Sequence, residues 1–142
     1  MKKLLLLLII PFLSFGQEPI SDDNIHSAVD LWLSDQLLAE NIYGNISEWD
    51  VSNVTNMEDL FSGANEFNDD ITSWDMSNVT NMNNMFRSCY LFNQDIGEWN
   101  FGNGANMSLM FRHCNSFNQD IGEWDVSSVV DMNWMFAGAD SF

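Results

Sequence analysis

An internal repeat with a period of 25 positions is the feature that most constrains how this 142-residue chain can fold. Five apolar positions recur at this spacing in a single register, which is the signature of a repeat architecture. The recurring residues are Ile46, Ile71, Ile96 and Ile121; Trp49, Trp74, Trp99 and Trp124; Met57, Met82, Met107 and Met132; Phe61, Phe86, Phe111 and Phe136; and Phe67, Phe92, Phe117 and Phe142. They define four units at 46–70, 71–95, 96–120 and, truncated, 121–142. Because the fourth unit keeps the pattern, we expect it to belong to a longer array; the alternative is a last unit whose exposed apolar surface binds a partner.

Two different apolar spacings occur within each unit. Ile71, Trp74 and Met76 follow the L-x-x-L-x-L spacing of a short strand in a repeat protein. From Met82 to Cys89, apolar residues then fall at i, i+3, i+4 and i+7, which is one face of a short helix or 3₁₀ turn. Neither element can bury its apolar side alone, so the units must stack. The sequence therefore predicts an α/β solenoid, similar to leucine-rich repeats, with one short strand and one short helix or 3₁₀ turn per repeat.

The segment before the first unit has a different pattern. Ile25, Val29, Trp32 and Leu33 form one apolar face of a helix over 21–40, and Ser21 is a candidate N-cap. A repeat array needs a polar cap at an open edge to remain soluble. We therefore predict that residues 17–45 are an N-terminal helical cap and linker.

Residues 1–16 have the organisation of a secretory signal peptide. Two lysines are followed by an apolar run over 4–13 and by small residues before Gln17, so we expect cleavage near Gly16. The alternative, a membrane-anchored helix, is disfavoured because the run is far shorter than the roughly 20 residues of a spanning helix. The prediction is an exported protein, at the cell surface or secreted, with no transmembrane segment in the mature chain.

Charge narrows the range of partners. The mature chain would keep two basic residues, Arg87 and Arg112, against 21 acidic ones, a formal net charge of −19. Such a surface repels nucleic acid and anionic lipid headgroups. The chain is nevertheless rich in aromatic, methionine and aliphatic residues, so it can bury a core and fold. We therefore expect a folded protein that does not bind nucleic acid.

Several stretches resemble a known family. Residues 49–57 (W-D-V-S-N-V-T-N-M), residues 117–121 (F-N-Q-D-I) and the preamble at 28–33 and 43–46 are similar to the BspA-like leucine-rich-repeat surface proteins, in the branch with repeats of this length found in Bacteroidetes and mycoplasma lipoproteins. The resemblance implies a leucine-rich-repeat-like solenoid that acts as an adhesion scaffold, binding host or matrix proteins or a neighbouring cell surface. It specifies a scaffold rather than a chemistry, and no binding residue can be carried over. The third unit departs from the pattern at 101–106.

Polar residues that alternate with the apolar ones in each predicted strand form the candidate binding face. Its acidity favours a basic or cation-bridged protein ligand. The tryptophans between these residues could stack on carbohydrate, but their place among apolar neighbours favours a core role. The face residues are Ser73, Asp75, Glu98, Asn100, Glu123 and Asp125.

A second hypothesis concerns calcium. Asp70, Asp95 and Asp120 fall in one column, and stacked repeats would place them about 5 Å apart, so their carboxylates could share Ca²⁺. The alternative is that Asp and Asn side chains bond backbone groups at turns, once in each repeat. We favour the turn interpretation. A Ca²⁺-stabilised structural surface module is the second functional hypothesis, and no other cofactor is expected.

Nothing in the chain favours catalysis. Cys89 and Cys114 share a column with Ala64 and Ala139, which indicates small buried positions, although stacking would also allow a disulfide. His113 precedes Cys114, but adjacent side chains point apart, and no catalytic sequence motif occurs. The sequence therefore predicts a non-catalytic protein without catalytic residues.

Overall fold

The structure is a computed structural model, and it describes residues 17–142. The predicted signal peptide, residues 1–16, lies outside the described residues. Three helical segments precede or open the repeats: α1 (Ile25–Ser34), α2 (Gln36–Tyr43) and a 3₁₀ turn at Ile46–Glu48. None of the helices within residues 17–142 has the length and apolar character needed to cross a membrane.

Two helices occupy the segment in which one was predicted. The side chains of Ile25, Ala28, Val29 and Trp32 on α1 are buried, as an amphipathic helix requires. Leu33, predicted to lie on the same apolar face, is instead 45% exposed. Asp35 then interrupts the helix with φ −149° and ψ 78°, and its carboxylate accepts the Leu38 N–H at 3.2 Å. Asp35 is therefore the N-cap of α2.

The N-cap of α1 is Asn24 rather than the predicted Ser21. The Asn24 side chain makes no capping bond within α1. Instead its Oδ1 accepts the backbone N–H of Ser21 at 2.8 Å, so this amide closes the turn that leads into the helix.

The predicted strand and helix of each repeat are wrong, and so is the leucine-rich-repeat solenoid that they would have formed. Within residues 17–142 the repeats contain no strand or sheet, and their only helical segment is the 3₁₀ turn that opens the first repeat. The three-residue apolar spacing from Ile71 to Trp74 comes from a tight turn, in which the Trp74 N–H donates to the Ile71 carbonyl at 3.1 Å. The spacing from Met82 to Cys89 also comes from overlapping turns. Asn84 and Ser88 have φ of 56° and 61°, and these left-handed residues prevent a helix.

The repeats stack on one another through isolated parallel bridges. These join Asn56 to Asn81, Asn81 to Asn106 and Asn106 to Asp131. Around each bridge, four backbone N–H groups of one repeat donate to four carbonyls of the next at 2.8–3.0 Å. Equivalent residues of neighbouring repeats therefore lie side by side, as the repeat register predicts.

Columns of aromatic rings fill the core between the stacked turns. Phe61, Phe86, Phe111 and Phe136 stack with centroids 5.5–5.6 Å apart. Each also stacks on the second phenylalanine of its own repeat at 4.0–4.2 Å. Aromatic stacking adds to the free energy of burial, so the phenylalanine columns stabilise the packing between repeats. The buried tryptophan column lies beside them.

The third repeat departs from the others at the position where the sequence departs. The first and second repeats bury Val54 and Val79, whereas Gly104 is exposed with φ 75° and the following Ala105 is buried instead. The buried Trp99 Nε1 of this repeat has no hydrogen-bond partner among the described residues, whereas the equivalent Trp74 Nε1 donates to Ile46 at 2.9 Å. The backbone shift therefore coincides with the loss of one hydrogen bond in the tryptophan column.

The N-terminal helical segment covers the first repeat and makes contacts that a preceding repeat would otherwise make. In the second repeat, Thr80 and Asn81 donate their N–H groups to the carbonyl of Thr55. In the first repeat, the Asp22 carboxylate accepts the equivalent N–H groups, from Thr55 at 2.8 Å and Asn56 at 3.1 Å. A side chain thus replaces the carbonyl that an earlier repeat would supply.

Two ring side chains complete this contact. His26 Nε2 lies 2.9 Å from the carbonyl oxygen of Glu58. In later repeats, the carbonyl at the same position accepts a backbone N–H from the preceding repeat. The Trp32 ring packs edge-on against Trp49 at 5.9 Å, and its indole N–H donates to Asp69 at 2.7 Å. The cap therefore satisfies polar groups of the first repeat and extends its aromatic packing.

Candidate binding face

The six predicted face residues are all exposed and lie in two columns along one side of the stack. Ser73, Glu98 and Glu123 form one column, and Asp75, Asn100 and Asp125 form the other. The columns flank the buried tryptophans, because each tryptophan lies between one residue of each column in the sequence. Glu48 and Asp50 of the first repeat extend both columns and are exposed as well. The predicted strand that was to carry these residues is absent from the described chain, but turns hold them on a common face.

Turn hydrogen bonds fix the aspartates of this face. The Asp50 carboxylate accepts the hydroxyl of Ser52 at 2.6 Å and its N–H at 3.1 Å. Asp75 and Asp125 accept the N–H groups of Ser77 and Ser127, each at 3.0 Å. These are Asx turns, in which a short acidic side chain replaces a backbone acceptor. The carboxylates are therefore presented in one orientation from repeat to repeat.

The same bonds keep the aspartates charged. The hydroxyl and N–H groups of the serine two positions ahead lower the pKa of Asp50 and of Asp125 below 3.8. Ser77 lowers the pKa of Asp75 in the same way, against the opposing charge effect of Asp50. Because hydrogen bonds to an ionised carboxylate favour the charged form, these three aspartates stay anionic at neutral pH.

The tryptophans, for which carbohydrate stacking is the alternative to a core role, lie in the core. Trp49, Trp74, Trp99 and Trp124 are buried, and the Trp49 and Trp74 rings stack at 6.3 Å. Their indole faces are covered by neighbouring repeats and by phenylalanines. The tryptophans pack in the core behind the exposed columns, so no ring surface is open for a sugar to stack on.

The calcium candidates also serve turns. Asp70 accepts the Thr72 N–H at 3.0 Å and its hydroxyl at 2.7 Å. Asp95 and Asp120 accept the N–H groups of Gly97 and Gly122 at 3.3 and 3.0 Å. In the part of the chain that the structure describes, no three His, Cys, Asp or Glu side chains are grouped so as to hold a metal ion. The geometry gives these aspartates the turn role that was the alternative to calcium binding.

The cysteines are buried and free. The Cys89 thiol donates to the Phe61 carbonyl at 2.9 Å, and the Cys114 thiol donates to the Phe86 carbonyl at 2.8 Å. Burial raises the pKa of both thiols, that of Cys114 to about 12. A thiol held in its neutral form is a poor nucleophile, so these residues are core side chains.

The histidine beside Cys114 faces away from it. His113 is exposed with φ 60°, and it lines a shallow surface depression with Tyr90 and Asn115. Gly63, Ser88 and Gly138, at the equivalent positions, also have positive φ. The mixed residue types in this column suggest that the position accepts any side chain. The backbone nevertheless has a positive φ at all four residues, a conformation that favours glycine. The two glycines in the column are the sequence signal that could have shown it.

Sequence reasoning missed the roles of two residues. The sequence pattern assigns Asp22 only to a first helical turn, and it places His26 in the cap without a role. Both instead pair with groups of the first repeat, at sequence separations of 33 and 32. No local pattern in a single sequence indicates such long-range partners.

A groove of about 630 Å³ opens where the cap meets the first repeat, on a different part of the surface. Trp32, Leu33, Phe67 and Asp69 are among its walls. The Trp32 indole N–H is already bonded to Asp69, and the described residues that line the groove include neither histidine nor cysteine.

The chain was compared with known proteins and families. Residues 34–142 match the family model described as "Mycoplasma protein of unknown function, DUF285". No curated protein and no solved structure matched the chain.

Proposed function

Because the chain belongs to the family of Mycoplasma proteins of unknown function to which residues 34–142 match, we propose its function from the geometry of the stack. We infer that it is an exported, non-catalytic scaffold that binds a basic protein at the bacterial surface or outside the cell. Its contact surface is the face formed by the columns of Ser73 and Asp75. The sequence resemblance to BspA-like surface proteins, which implies an adhesion scaffold, supports this proposal.

The observation that carries this proposal is the pair of exposed columns at one residue per repeat. Neighbouring repeats are in direct hydrogen-bond contact, so carboxylates such as Glu98 and Glu123 recur along one direction at a short, fixed interval. Such a row attracts a matching row of lysines or arginines and increases the rate of encounter. Fixed turns reduce the ordering cost on binding, because the aspartates are already oriented.

The direct test compares two charge variants that have the same net charge. The face variant carries Glu98→Gln, Glu123→Gln and Asp125→Asn, and the control carries Asp23→Asn, Asp30→Asn and Glu66→Gln at exposed positions elsewhere. Binding of residues 17–142 to a decalysine peptide is measured by calorimetry at low and physiological salt. We expect the face variant to bind at least tenfold more weakly than the control variant. Equal losses in the two variants would show that net charge alone attracts the peptide, and the proposed face would be wrong.

A further inference from the structure

The third repeat holds the only Asn-Gly pair of the chain, Asn103–Gly104. The same two positions hold Asn53–Val54 in the first repeat and Asn78–Val79 in the second. All three asparagines are exposed, but the valines that follow two of them are fully buried, whereas Gly104 is exposed. One asparagine therefore has a different chemical setting from the two at equivalent positions.

This setting matters because asparagine, one of the thermolabile residues of proteins, can react with the backbone nitrogen that follows it. That nitrogen loses its proton to hydroxide and attacks the side-chain carbonyl carbon. A C–N bond forms, and the amide nitrogen takes up a proton and leaves as ammonia. Water then opens the resulting succinimide ring at either carbonyl and gives aspartate or isoaspartate. A following glycine favours the attack, because it has no Cβ to block the approach.

The attacking nitrogen is held differently in the three repeats. The N–H groups of Val54 and Val79 donate to carbonyls of their own turns at 2.8 and 2.9 Å. The Gly104 N–H instead donates to the carbonyl of Ser128 in the fourth repeat at 3.1 Å. Apart from its chain neighbours, no heavy atom of the described residues lies within 4 Å of the point where a Cβ on Gly104 would be. The nitrogen beside Asn103 therefore lies at an open surface, outside the turn bond that holds its equivalents.

The Asn-Gly pair also lies at a joint between repeats. Gly102 donates its N–H to the carbonyl of Val79 in the second repeat at 3.0 Å, and a Cβ on Gly102 would lie 2.9 Å from that oxygen. On the other side, Gly104 contacts Ser128 of the fourth repeat through its N–H. In isoaspartate the main chain passes through the former side chain and becomes longer by a methylene group. A turn bonded on both sides cannot take up this extra length without losing contacts.

We propose that Asn103 is a deamidation site of the folded protein, at which the chain converts to aspartate and isoaspartate without an enzyme. The reaction consumes water and releases ammonia, so it needs no other reactant. The isoaspartyl product lengthens the main chain at the joint and weakens the bonds that Gly102 and Gly104 make to the neighbouring repeats. The third repeat is therefore where the stack ages first. This inference does not depend on the acidic face.

The test is incubation of the purified chain in mildly alkaline buffer, followed by peptide mapping with mass spectrometry. Deamidation is measured at Asn103, Asn53 and Asn78 from the mass change when an NH₂ group is replaced by OH, and isoaspartate is identified by labelling with isoaspartyl methyltransferase. We expect Asn103 to deamidate at least tenfold faster than either of the other two, because only its neighbouring nitrogen is exposed. The rate should rise with pH, since the nitrogen must lose its proton. Asn103→Gln is the matched control, because its longer side chain forms the corresponding ring much more slowly.

A rate at Asn103 no greater than the rates at Asn53 and Asn78 would overturn the proposal. So would modification of Asn103 in urea only, because the bond from Gly104 to Ser128 would then protect the folded chain. After incubation, the converted chain should unfold at a lower urea concentration than the equally incubated Asn103→Gln variant, and its Gly104 amide should exchange faster. Equal stability and exchange at high conversion would refute the effect on the stack. Binding of decalysine enters none of these readouts, so the two proposals can fail separately.

Discussion

The carboxylate of Asp22 fastens the helical cap to the first repeat, so its removal should loosen the cap first. The carboxylate accepts the N–H groups of Thr55 and Asn56 and also the Thr55 hydroxyl, at 2.7 Å. Removing a side chain that caps a helix start costs about 0.5–2 kcal/mol. Asp22 caps two N–H groups and a hydroxyl, but its carboxylate is largely open to water, which can replace part of the interaction. We therefore expect Asp22→Ala to lower the free energy of unfolding by about 2 kcal/mol.

For a domain of this size, that change lowers Tm by about 6–10 °C. Urea unfolding followed by tryptophan fluorescence measures the change in free energy, and hydrogen exchange at the Thr55 and Asn56 amides locates it. Asp23→Ala is the matched control, because Asp23 is an exposed neighbour that makes no hydrogen bond through its side chain within the described chain. If Asp22→Ala were no more destabilising than Asp23→Ala, or if the two amides kept their protection, the capping role of Asp22 would be refuted.

The contribution of Asp22 should also depend on pH. Burial opposes ionisation, but the bonds from Thr55 and Asn56 and the nearby His26 outweigh it, so the pKa of Asp22 in the folded chain lies below 3.8. A carboxyl with a lowered pKa stabilises the fold above its unfolded value and loses this effect as pH falls through the folded value. The difference in stability between the chain and Asp22→Asn should thus be fully present at about pH 5 and shrink below about pH 4. A difference that grows on acidification would contradict this assignment.

Three further predictions concern the repeats. Ser88→Gly should stabilise the fold by about 1 kcal/mol in urea unfolding, because Ser88 has a φ of 61° at a position where other repeats have Gly63 and Gly138. Ser62→Gly is the control and should not stabilise the fold, since Ser62 does not have a positive φ. Cys89 and Cys114 should resist iodoacetamide in the folded chain and react in urea, since both thiols are buried and free; a mass lower by two hydrogens would instead indicate a disulfide. At matched ionic strength, Tm in millimolar Ca²⁺ should equal Tm in excess chelator, because Asp70 and its equivalents already accept N–H groups of their own turns. A rise in Tm of many degrees with Ca²⁺ would instead support a metal site.

The spacing of apolar residues was sufficient to predict the register of the repeats. Phe86 lies against Phe61 and Phe111 because all three occupy one column, and the buried Trp74 and Cys89 occupy the positions that their neighbours in the repeat indicated. Register depends on which side chains are apolar and how often they recur, and both are visible in the sequence. The exposure of the Glu98 and Asp125 positions follows from the same periodicity.

Backbone conformation could not be derived in the same way. A spacing of three or four positions suits a helix, but it also suits consecutive tight turns, and the difference lies in the positive φ of Asn84 and Ser88. Leu109 and Trp134 adopt the same conformation although neither favours it, so stacking between repeats overrides local preference. The roles of Asp22 and His26 depend on contacts at sequence separations of 33 and 32, which no local pattern contains.

The measurement that tests the proposed binding face most directly is a nuclear magnetic resonance titration of ¹⁵N-labelled residues 17–142 with the decalysine peptide. If the face carries the binding, shift changes should concentrate at the amides of 73–75, 98–100 and 123–125 and extend to 48–50. They should disappear in the face variant and persist in the control variant. Changes spread evenly over exposed acidic residues, including those of the cap, would contradict the account, because they would show attraction to net charge without a defined face.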